Sequence, residues 1–306
     1  MATYLPEGYL SAPPVCLKNL AAAEEAMNSK KIIEARALVC DANHNLIVDL
    51  GCIKGIIPRE ECAVGISEGT TRDIAIISKV NKPVCFQITS LKTDEKFKPY
   101  AILSRRAVQE ECRDNYINTL RPGDVIKGKI THMEPFGCFV DIGCGIVSLL
   151  PIDAISVSRI SHPRDRFSIG QNIFAVVRSI AEDGKLCLSH KELMGTWEEN
   201  ARNFQNGETV AGVIRSVESY GIFVELAPNL AGLAEVKENV SVGQQASVYI
   251  KSLIPEKMKI KLIIVDSFDA PGLKHEFKYY IDSGHIDRFR YSPEESEKVI
   301  ETVFNE

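Results

Sequence analysis

The chain has 306 residues, of which 45% are hydrophobic and 25% charged, and its formal net charge is −5. These values are typical of a folded protein with two or three domains and argue against a strongly basic nucleic-acid-binding protein, although local basic patches remain compatible with RNA binding. No apolar run approaches the roughly 18 residues of a membrane span, and residues 1–11 lack the pattern of a signal peptide. We therefore expect a cytoplasmic protein without membrane contacts.

The nine cysteines also favour a reducing compartment. They are odd in number and form no Cys-x-x-Cys pair, so neither a disulfide framework nor a zinc site is indicated. Several, including Cys138, fall at inward positions of predicted strands, where cysteine behaves as a small apolar residue. We expect no metal and no other cofactor.

The chain begins with a helical lead over residues 1–30, in which residues 17–27 form the helix. Residues 31–105 then contain five short segments of strand-like sequence separated by turns. These segments are residues 32–40, 45–50, 55–58, 83–88 and 101–105. Five short strands in a unit of this size predict a small closed β-barrel.

The same pattern returns over residues 122–192 and again over residues 207–266. Each of these units opens with a Gly-acidic pair, Gly123-Asp124 or Gly207-Glu208, and each later has a Gly-Gln pair before an apolar strand. The predicted fold class is therefore mainly β, with three tandem five-stranded barrels.

Two connectors, residues 106–121 and 193–206, show helical spacing and end at Pro122-Gly123 and Asn206-Gly207. We expect Trp197 to pack the second connector against an adjacent barrel. The alternative is that its ring receives a nucleobase.

The tail, residues 267–306, interleaves aromatic and basic residues over 274–280 and 288–291. Ser292 followed by Pro293 and two glutamates predicts a helix that runs to about residue 304. Two interpretations of the tail are open. It folds back over a barrel, or it extends a surface for RNA.

One strand in each of the last two units places an aromatic ring on its outward face. Period-two alternation turns Cys138, Val140 and Ile142 inward, which leaves Phe139 on the other face beside the solvent-seeking charge of Asp141. Ile222, Val224 and Leu226 likewise leave Phe223 beside Glu225. An outward ring at the same place in two repeats indicates a surface that stacks nucleobases.

These motifs resemble the S1 RNA-binding domain, a barrel of the oligonucleotide-binding fold. The resemblance rests on the Phe136-Gly137-x-Phe139-Val140 strand, the Gly170-Gln171 turn and the closing Leu188-Ser189-x-Lys191. It covers roughly residues 30–265 and extends to a short bacterial relative of ribosomal protein S1 with three repeats. It implies that Phe136 and Phe139, and in the third unit Tyr220 and Phe223, are the base platforms.

The resemblance also shows departures from the family pattern. A histidine that is frequent in the family after the Gly-apolar turn is replaced here by Pro58, Pro151 and Glu235. In the first unit, Ile47 and His44 stand where the other units have rings, so we expect a structural or protein-docking role for this unit.

Basic residues near the rings are candidates to track the RNA backbone. In the second unit they are Lys127, Lys129, Arg159, His162, Arg164, Arg166, Lys185 and Lys191, with His190 beside them. In the third unit they are Arg215, Lys251 and Lys259. The alternative for all of them is ordinary solvated charge.

The sequence shows no enzymatic motif: it has no phosphate-binding glycine loop, no nucleophile elbow and no dinucleotide fingerprint. We predict a non-catalytic protein that binds single-stranded RNA, including mRNA, in translation and in association with the small subunit of the ribosome. The competing hypothesis is a scaffold of barrels that docks proteins without binding RNA, and in either case the first barrel or the tail is available to a protein partner.

Overall fold

The computed structural model describes residues 4–10, 17–270 and 277–304, and it is mainly β. Contacts within the chain define two compact units. One comprises Met1–Leu120 with Asp141–Val147, and the other comprises Arg121–Val140 with Ser148–Glu306. The described strands form three closed five-stranded barrels and one two-stranded sheet, so the expected fold class is confirmed.

The first barrel is built from β1 (Ile33–Cys40), β2 (Leu46–Asp49), β3 (Lys54–Ile57), β4 (Pro83–Thr93) and β5 (Pro99–Ser104). The strand order is β1-β2-β3-β5-β4, and β4 closes the barrel by pairing with β1. Only β3 and β5 run parallel among these pairs. Apolar residues at alternate strand positions fill the interior, with Phe86 and Leu46 fully buried.

Three helices accompany the first barrel: α1 (Leu20–Asn28), α2 (Ile74–Ile77) and α3 (Arg105–Asn115). The side chain of Asn19 accepts a hydrogen bond from Ala22 N–H at the start of α1, and Ser104 caps α3 by accepting from Ala107 N–H. Ala23 and Ala26 are the buried residues of α1. Their small side chains allow the helix to lie close to its neighbours.

The other two barrels repeat the same topology. The second contains β6 (Val125–Glu134), β7 (Gly137–Gly143), β8 (Ile146–Pro151), β9 (Asn172–Ile180) and β10 (Leu186–Ser189). The third contains β11 (Thr209–Glu218), β12 (Gly221–Ala227), β13 (Leu230–Ala234), β14 (Gln245–Ile254) and β15 (Lys259–Phe268). In both, the first strand pairs with the second and the fourth, as in the first barrel.

The connector between these two barrels contains the short helix α4 (Trp197–Ala201), which begins with a capping box formed by Thr196 and Glu199. Trp197 is buried in one apolar cluster with Ile222, Val224 and other core residues of the third barrel. The expectation that this ring packs the connector is confirmed, and its burial excludes the base-platform alternative.

The tail contains no helix after Ser292 among the residues up to 304, so that prediction is wrong. Instead, β16 (Arg288–Arg290) pairs with β17 (Glu301–Val303). The Ser292 hydroxyl accepts a hydrogen bond from Ile300 N–H across the hairpin rather than capping a helix. Phe289 and Phe304 are buried, and this tertiary burial overrides the local capping pattern.

The tail folds back onto the third barrel, which is the first of the two interpretations of its sequence. Ile286, Phe289, Tyr291 and Phe304 belong to the same apolar cluster as the third-barrel core. The part of the aromatic-basic stretch formed by residues 274–276 lies outside the described residues.

Of the eight described cysteines, five are buried, which confirms their expected role as small apolar residues. In the described ranges, no helix is long and apolar enough to cross a membrane.

Candidate nucleic-acid interface

A pair of aromatic rings stands at the start of β7 in the second barrel. Phe136 is 56% exposed, and Phe139 is half-buried. The ring centroids are 6.2 Å apart and the planes are perpendicular, at 90°. Gly137 lies between them in the sequence. A Cβ at this position would lie 2.5 Å from the carbonyl oxygen of Leu150. The backbones of β7 and β8 therefore approach each other closely between the two ring positions.

The third barrel carries a matching pair. Tyr220 is 67% exposed, Phe223 on β12 is half-buried, and their centroids are again 6.2 Å apart, at an interplanar angle of 86°. Gly221 separates them, with Ala234 O only 2.7 Å from the place of its missing Cβ. Two repeats thus present an exposed ring and a half-buried ring in the same edge-to-face arrangement.

His132 is a candidate that the sequence pattern missed. Its ring lies nearly parallel to Phe139, at 29° and with centroids 6.1 Å apart. It is exposed, and its Nε2 lies 2.6 Å from Glu134 Oε1. The burial pattern of β6 breaks its alternation at this point, where Thr131 and His132 are both accessible. Strict period-two alternation could not place His132 beside Phe139.

The carboxylates near the rings do not face water, contrary to the sequence-based expectation. Asp141 is buried and accepts hydrogen bonds from the backbone N–H groups of Glu7, Gly143 and Gly145. Burial, together with the nearby charge of Glu7, raises the pKa of Asp141 to about 6. Glu225 is also buried and binds arginines. Neighbouring segments therefore cover the two acids and leave the rings accessible.

Glu7 itself belongs to a buried ion-pair network in the first unit. Arg105 Nε lies 2.6 Å from Glu7 Oε1, and Lys79 Nζ lies 2.7 Å from Glu7 Oε2. Burial alone would raise the pKa of Glu7, but Arg105 and Lys79 lower it to about 2. This network anchors residues 4–10 and is structural rather than part of a ligand surface.

Two predicted RNA contacts, Arg166 and Arg215, lie in ion pairs within the protein. Arg166 is buried, and its Nη2 lies 2.5 Å from Glu225 Oε2. Burial lowers its pKa, although the charge of Glu225 opposes that shift. Arg215 binds the same carboxylate through its Nε at 2.9 Å, and its side chain is mostly covered. Both guanidinium groups are therefore engaged by carboxylates of the protein itself.

His190, the neighbour of the predicted contact Lys191, is also buried. Its Nδ1–H donates to Ile155 O, and its Nε2 accepts from the hydroxyl of Tyr279. Lys191 is half-buried, with its Nζ 3.4 Å from Asp153 O. This end of β10 therefore meets the tail.

Other predicted cations lie on the surface, although several have acidic neighbours. Lys127 and Lys129 alternate with buried residues of β6 and pair across the sheet with Phe174 and Asn172. Lys185 lies 2.5 Å from Asp183. Lys251 lies 3.6 Å from Glu235, and Lys259 is exposed at the start of β15.

The loop between β8 and β9 carries the remaining three. Arg159 and Arg164 are exposed, and His162 is half-buried. Neither arginine side chain has an ion-pair partner in the part of the chain that the structure describes. The Nδ1 atom of His162 instead accepts a hydrogen bond from Arg164 N–H and fixes the loop conformation.

The first barrel has a groove where the other barrels have rings. Its volume is about 970 Å³, and Ile47, Ile56 and Tyr100 are among the residues that line it. Its charged lining residues are of both signs, with Lys54 and Lys98 as well as Asp94 and Glu95. Among the described residues, no group of three or more His, Cys, Asp or Glu side chains could hold a metal ion.

Comparison with known proteins finds similarity over the second barrel and over most of the chain. Residues 119–191 match the model of the S1 RNA binding domain. Small ribosomal subunit protein bS1 of Staphylococcus aureus is 28% identical over 264 residues, which cover 81% of this chain and 64% of that protein. The bS1 protein of Staphylococcus haemolyticus is 29% identical over 258 residues, which cover 79% and 63%. The chain thus spans less than two thirds of the length of these relatives.

A solved multidomain protein with nucleic acid binding domains from Streptococcus pneumoniae matches 78% of this chain and 75% of its own chain, at 14% identity and a TM-score of 0.26. From the sequence match and the repeated barrels, we conclude that residues 119–191 are similar to the S1 RNA-binding domain and that the chain is similar to bacterial ribosomal protein bS1 over about four fifths of its length.

Proposed function

We propose that the chain binds single-stranded RNA without catalysing a reaction, and that bases stack on the Phe136–Phe139 and Tyr220–Phe223 pairs. The observation that carries this proposal is the repeated geometry: in both barrels one exposed ring meets a half-buried ring edge to face, with centroids 6.2 Å apart. Unless these strands dock a protein, they have little use for two such exposed ring pairs. An unpaired base, in contrast, presents a flat face that fits them.

The magnitudes require both rings and charges. A stacked base contributes about 1–3 kcal/mol, whereas micromolar affinity corresponds to roughly −8 kcal/mol. One ring pair therefore needs several phosphate contacts in addition. Lys127, Lys129, Arg159 and Arg164 are the cations of the second barrel that we assign to this role. Stacking reads flat rings rather than hydrogen-bonding edges, so binding has low sequence specificity.

The similarity to bS1 supports a role in translation. We place the protein on mRNA, in association with the small ribosomal subunit, where it holds a strand in single-stranded form. The net charge of −5 makes the total electrostatic attraction for RNA modest. Binding then depends on the local surface and weakens steeply as salt increases.

The experiment is an anisotropy titration of the full chain with a labelled, unstructured RNA oligonucleotide at several salt concentrations. The proposal predicts that log affinity falls with log salt, with a slope of about −0.7 for each phosphate contacted. Two variants, Phe136→Ala with Phe139→Ala and Tyr220→Ala with Phe223→Ala, should each weaken binding by several-fold to a hundredfold. Phe97→Ala is the matched control because Phe97 is 88% exposed on the loop between β4 and β5. Equal affinities for the parent, both ring variants and the control would contradict the proposal.

The groove beside Ile47 favours a second candidate function, docking of a protein partner on the first barrel. If docking is the function of the whole chain, the RNA titration shows no salt-dependent affinity. If only the first barrel docks a partner, RNA binding by the other two barrels is unchanged by substitutions in the groove.

A further inference from the structure

We infer that the β8–β9 loop of the second barrel supplies phosphate contacts for RNA stacked on the rings of the third barrel, so that one RNA strand is bound by a composite site. This inference rests on the proposed function and deepens it, because it assigns a loop of the second barrel to the ring pair of the third barrel. The ligand is the phosphodiester backbone next to the bases that stack on Tyr220 and Phe223.

The loop is anchored on the third barrel through Asp165 and Arg166. Arg166 Nη2 donates to Glu225 Oε2 and to Pro228 O, the latter at 3.1 Å. Asp165 Oδ1 lies 3.7 Å from Arg215 Nη1. A buried guanidinium with two hydrogen-bond acceptors is a fixed attachment. Breaking these hydrogen bonds would leave a charge without a partner in the interior.

The loop is also anchored at Ser156 and Val157, on the N-terminal side of segment 158–164. The Ser156 hydroxyl donates a hydrogen bond to Pro228 O, and Val157 N–H donates to Asn229 Oδ1 at 3.0 Å. The segment 158–164 is therefore held on the third barrel at both of its ends. Its position is set by the third barrel as much as by the second.

The anchor lies close to the third-barrel rings. Glu225 follows Phe223 by two positions on β12, so the two side chains share a face about 7 Å apart along the strand. Arg215 occupies a register shift between the pairs Ile214↔Val224 and Ser216↔Phe223. The loop thus reaches the third barrel beside the strand positions that hold Phe223.

The conformation of the loop keeps two of its arginine side chains at the surface. Asp165 Oδ2 accepts hydrogen bonds from Ser161 N–H, the Ser161 hydroxyl and His162 N–H. This internal network leaves Arg159 and Arg164 exposed. Asp165 and Glu225, the acids nearest the anchor, are both engaged with arginines or with the loop itself.

The third barrel lacks equivalent cations of its own on its first strand. With the rings aligned, the positions of Lys127 and Lys129 on β6 correspond to Ala211 and Val213 on β11. Arg215 is spent on Glu225, and Lys251 lies near Glu235. Lys259 and Lys261 of β15 are exposed cations of the third barrel. Arg159 and Arg164, the exposed arginines of the loop that is anchored on Glu225 of β12, supply further phosphate contacts beside them.

The test combines the charge change with each ring change in the full chain. Arg159→Gln with Arg164→Gln is made in the parent, in the Tyr220→Ala/Phe223→Ala variant and in the Phe136→Ala/Phe139→Ala variant. Binding of a labelled oligouridylate is measured by anisotropy across a salt series. In the parent, loss of two phosphate contacts should reduce the salt slope by about 1.4.

The inference predicts that this reduction disappears in the Tyr220→Ala/Phe223→Ala background and persists in the Phe136→Ala/Phe139→Ala background. Arg72→Gln with Arg202→Gln is the control for the loss of two exposed positive charges and should leave the slope within experimental error. All substituted side chains are exposed or half-buried at the surface, so the variants are expected to fold. Circular dichroism checks this expectation.

The reverse pattern, in which the arginines couple to Phe136 and Phe139 alone, would overturn the inference and return the loop to its own barrel. Unchanged slopes in every background would overturn it as well. If neither ring variant weakens binding, the proposed function fails and the composite site fails with it. If the rings matter and the arginines do not, only the composite site fails.

Discussion

The hydroxyl of Tyr279 donates a hydrogen bond to Nε2 of His190 at 3.1 Å and thereby joins the tail to the end of β10. The other ring nitrogen of His190 donates to Ile155 O, which fixes the neutral tautomer. Phe277 packs edge-on against the same imidazole, with centroids 5.1 Å apart. A buried, neutral histidine is thus one of the points at which the tail contacts the second barrel.

This attachment predicts a pH dependence of stability. Burial lowers the pKa of His190 to about 4, with a further contribution from the positive charge of Arg166, whereas an unfolded histidine titrates near 6.5. Between these values the unfolded chain binds a proton that the folded chain does not. The contribution is full above about pH 6.5 and is lost as pH falls toward about 4, by up to about 3 kcal/mol.

Urea unfolding of the parent and of His190→Gln across this pH range measures the contribution. The glutamine variant should lose the part of the pH dependence that belongs to His190. Asp141, with its raised pKa, acts in the opposite direction and is common to both proteins, so the difference between them isolates the histidine. Parallel curves for the two proteins would contradict the assignment.

Gly145→Ala should destabilise the first unit through a buried ion pair. An added Cβ would lie 1.8 Å from Arg105 Nη2 and 2.7 Å from Glu7 Oε2, at a backbone φ of +78°. Displacing Arg105 leaves Glu7 without its main partner, at a cost of about 3–5 kcal/mol.

Gly184→Ala provides the matched control for that substitution. Gly184 has a nearly identical φ of +77°, but nothing lies within 4 Å of its missing Cβ. It should cost only the left-handed backbone strain, about 1–2 kcal/mol. Chemical denaturation compares the two variants, and equal losses of stability would show that the ion pair contributes nothing.

The pair formed by Arg166 and Glu225 should show strong energetic coupling. Glu225→Gln leaves the buried Arg166 charge uncompensated and should lower the free energy of unfolding by about 3–5 kcal/mol. Adding Arg166→Met removes that charge, so the double variant should be more stable than the sum of the single effects predicts. A double-mutant cycle in urea measures the coupling, and strictly additive losses would argue that the two groups do not interact.

The sequence was sufficient for the barrels and for the outward rings because both follow from period-two alternation and from the repeat itself. It was insufficient wherever a distant segment covers a strand face. Alternation places Asp141 and Glu225 on the outward face, but it does not show that Glu7 or Arg166 covers them.

Two local patterns failed for related reasons. Ser292-Pro293 is a good helix start, yet the burial of Phe289 and Phe304 favours a hairpin. Arg166 belongs to a basic loop that resembles a phosphate-binding rim, yet it neutralises a carboxylate 59 residues later in the chain. Neither outcome is encoded within the few residues that carry the local pattern.

The most direct test of the central claim is the RNA affinity of a variant with all four rings, Phe136, Phe139, Tyr220 and Phe223, changed to alanine. At about 1–3 kcal/mol for the base stacked on each ring pair, the account predicts that this variant loses at least about thirtyfold in affinity for an unstructured RNA while Phe97→Ala binds like the parent. If the four-ring variant, shown to be folded by circular dichroism, binds as tightly as Phe97→Ala, stacking on these rings is not how the protein holds RNA.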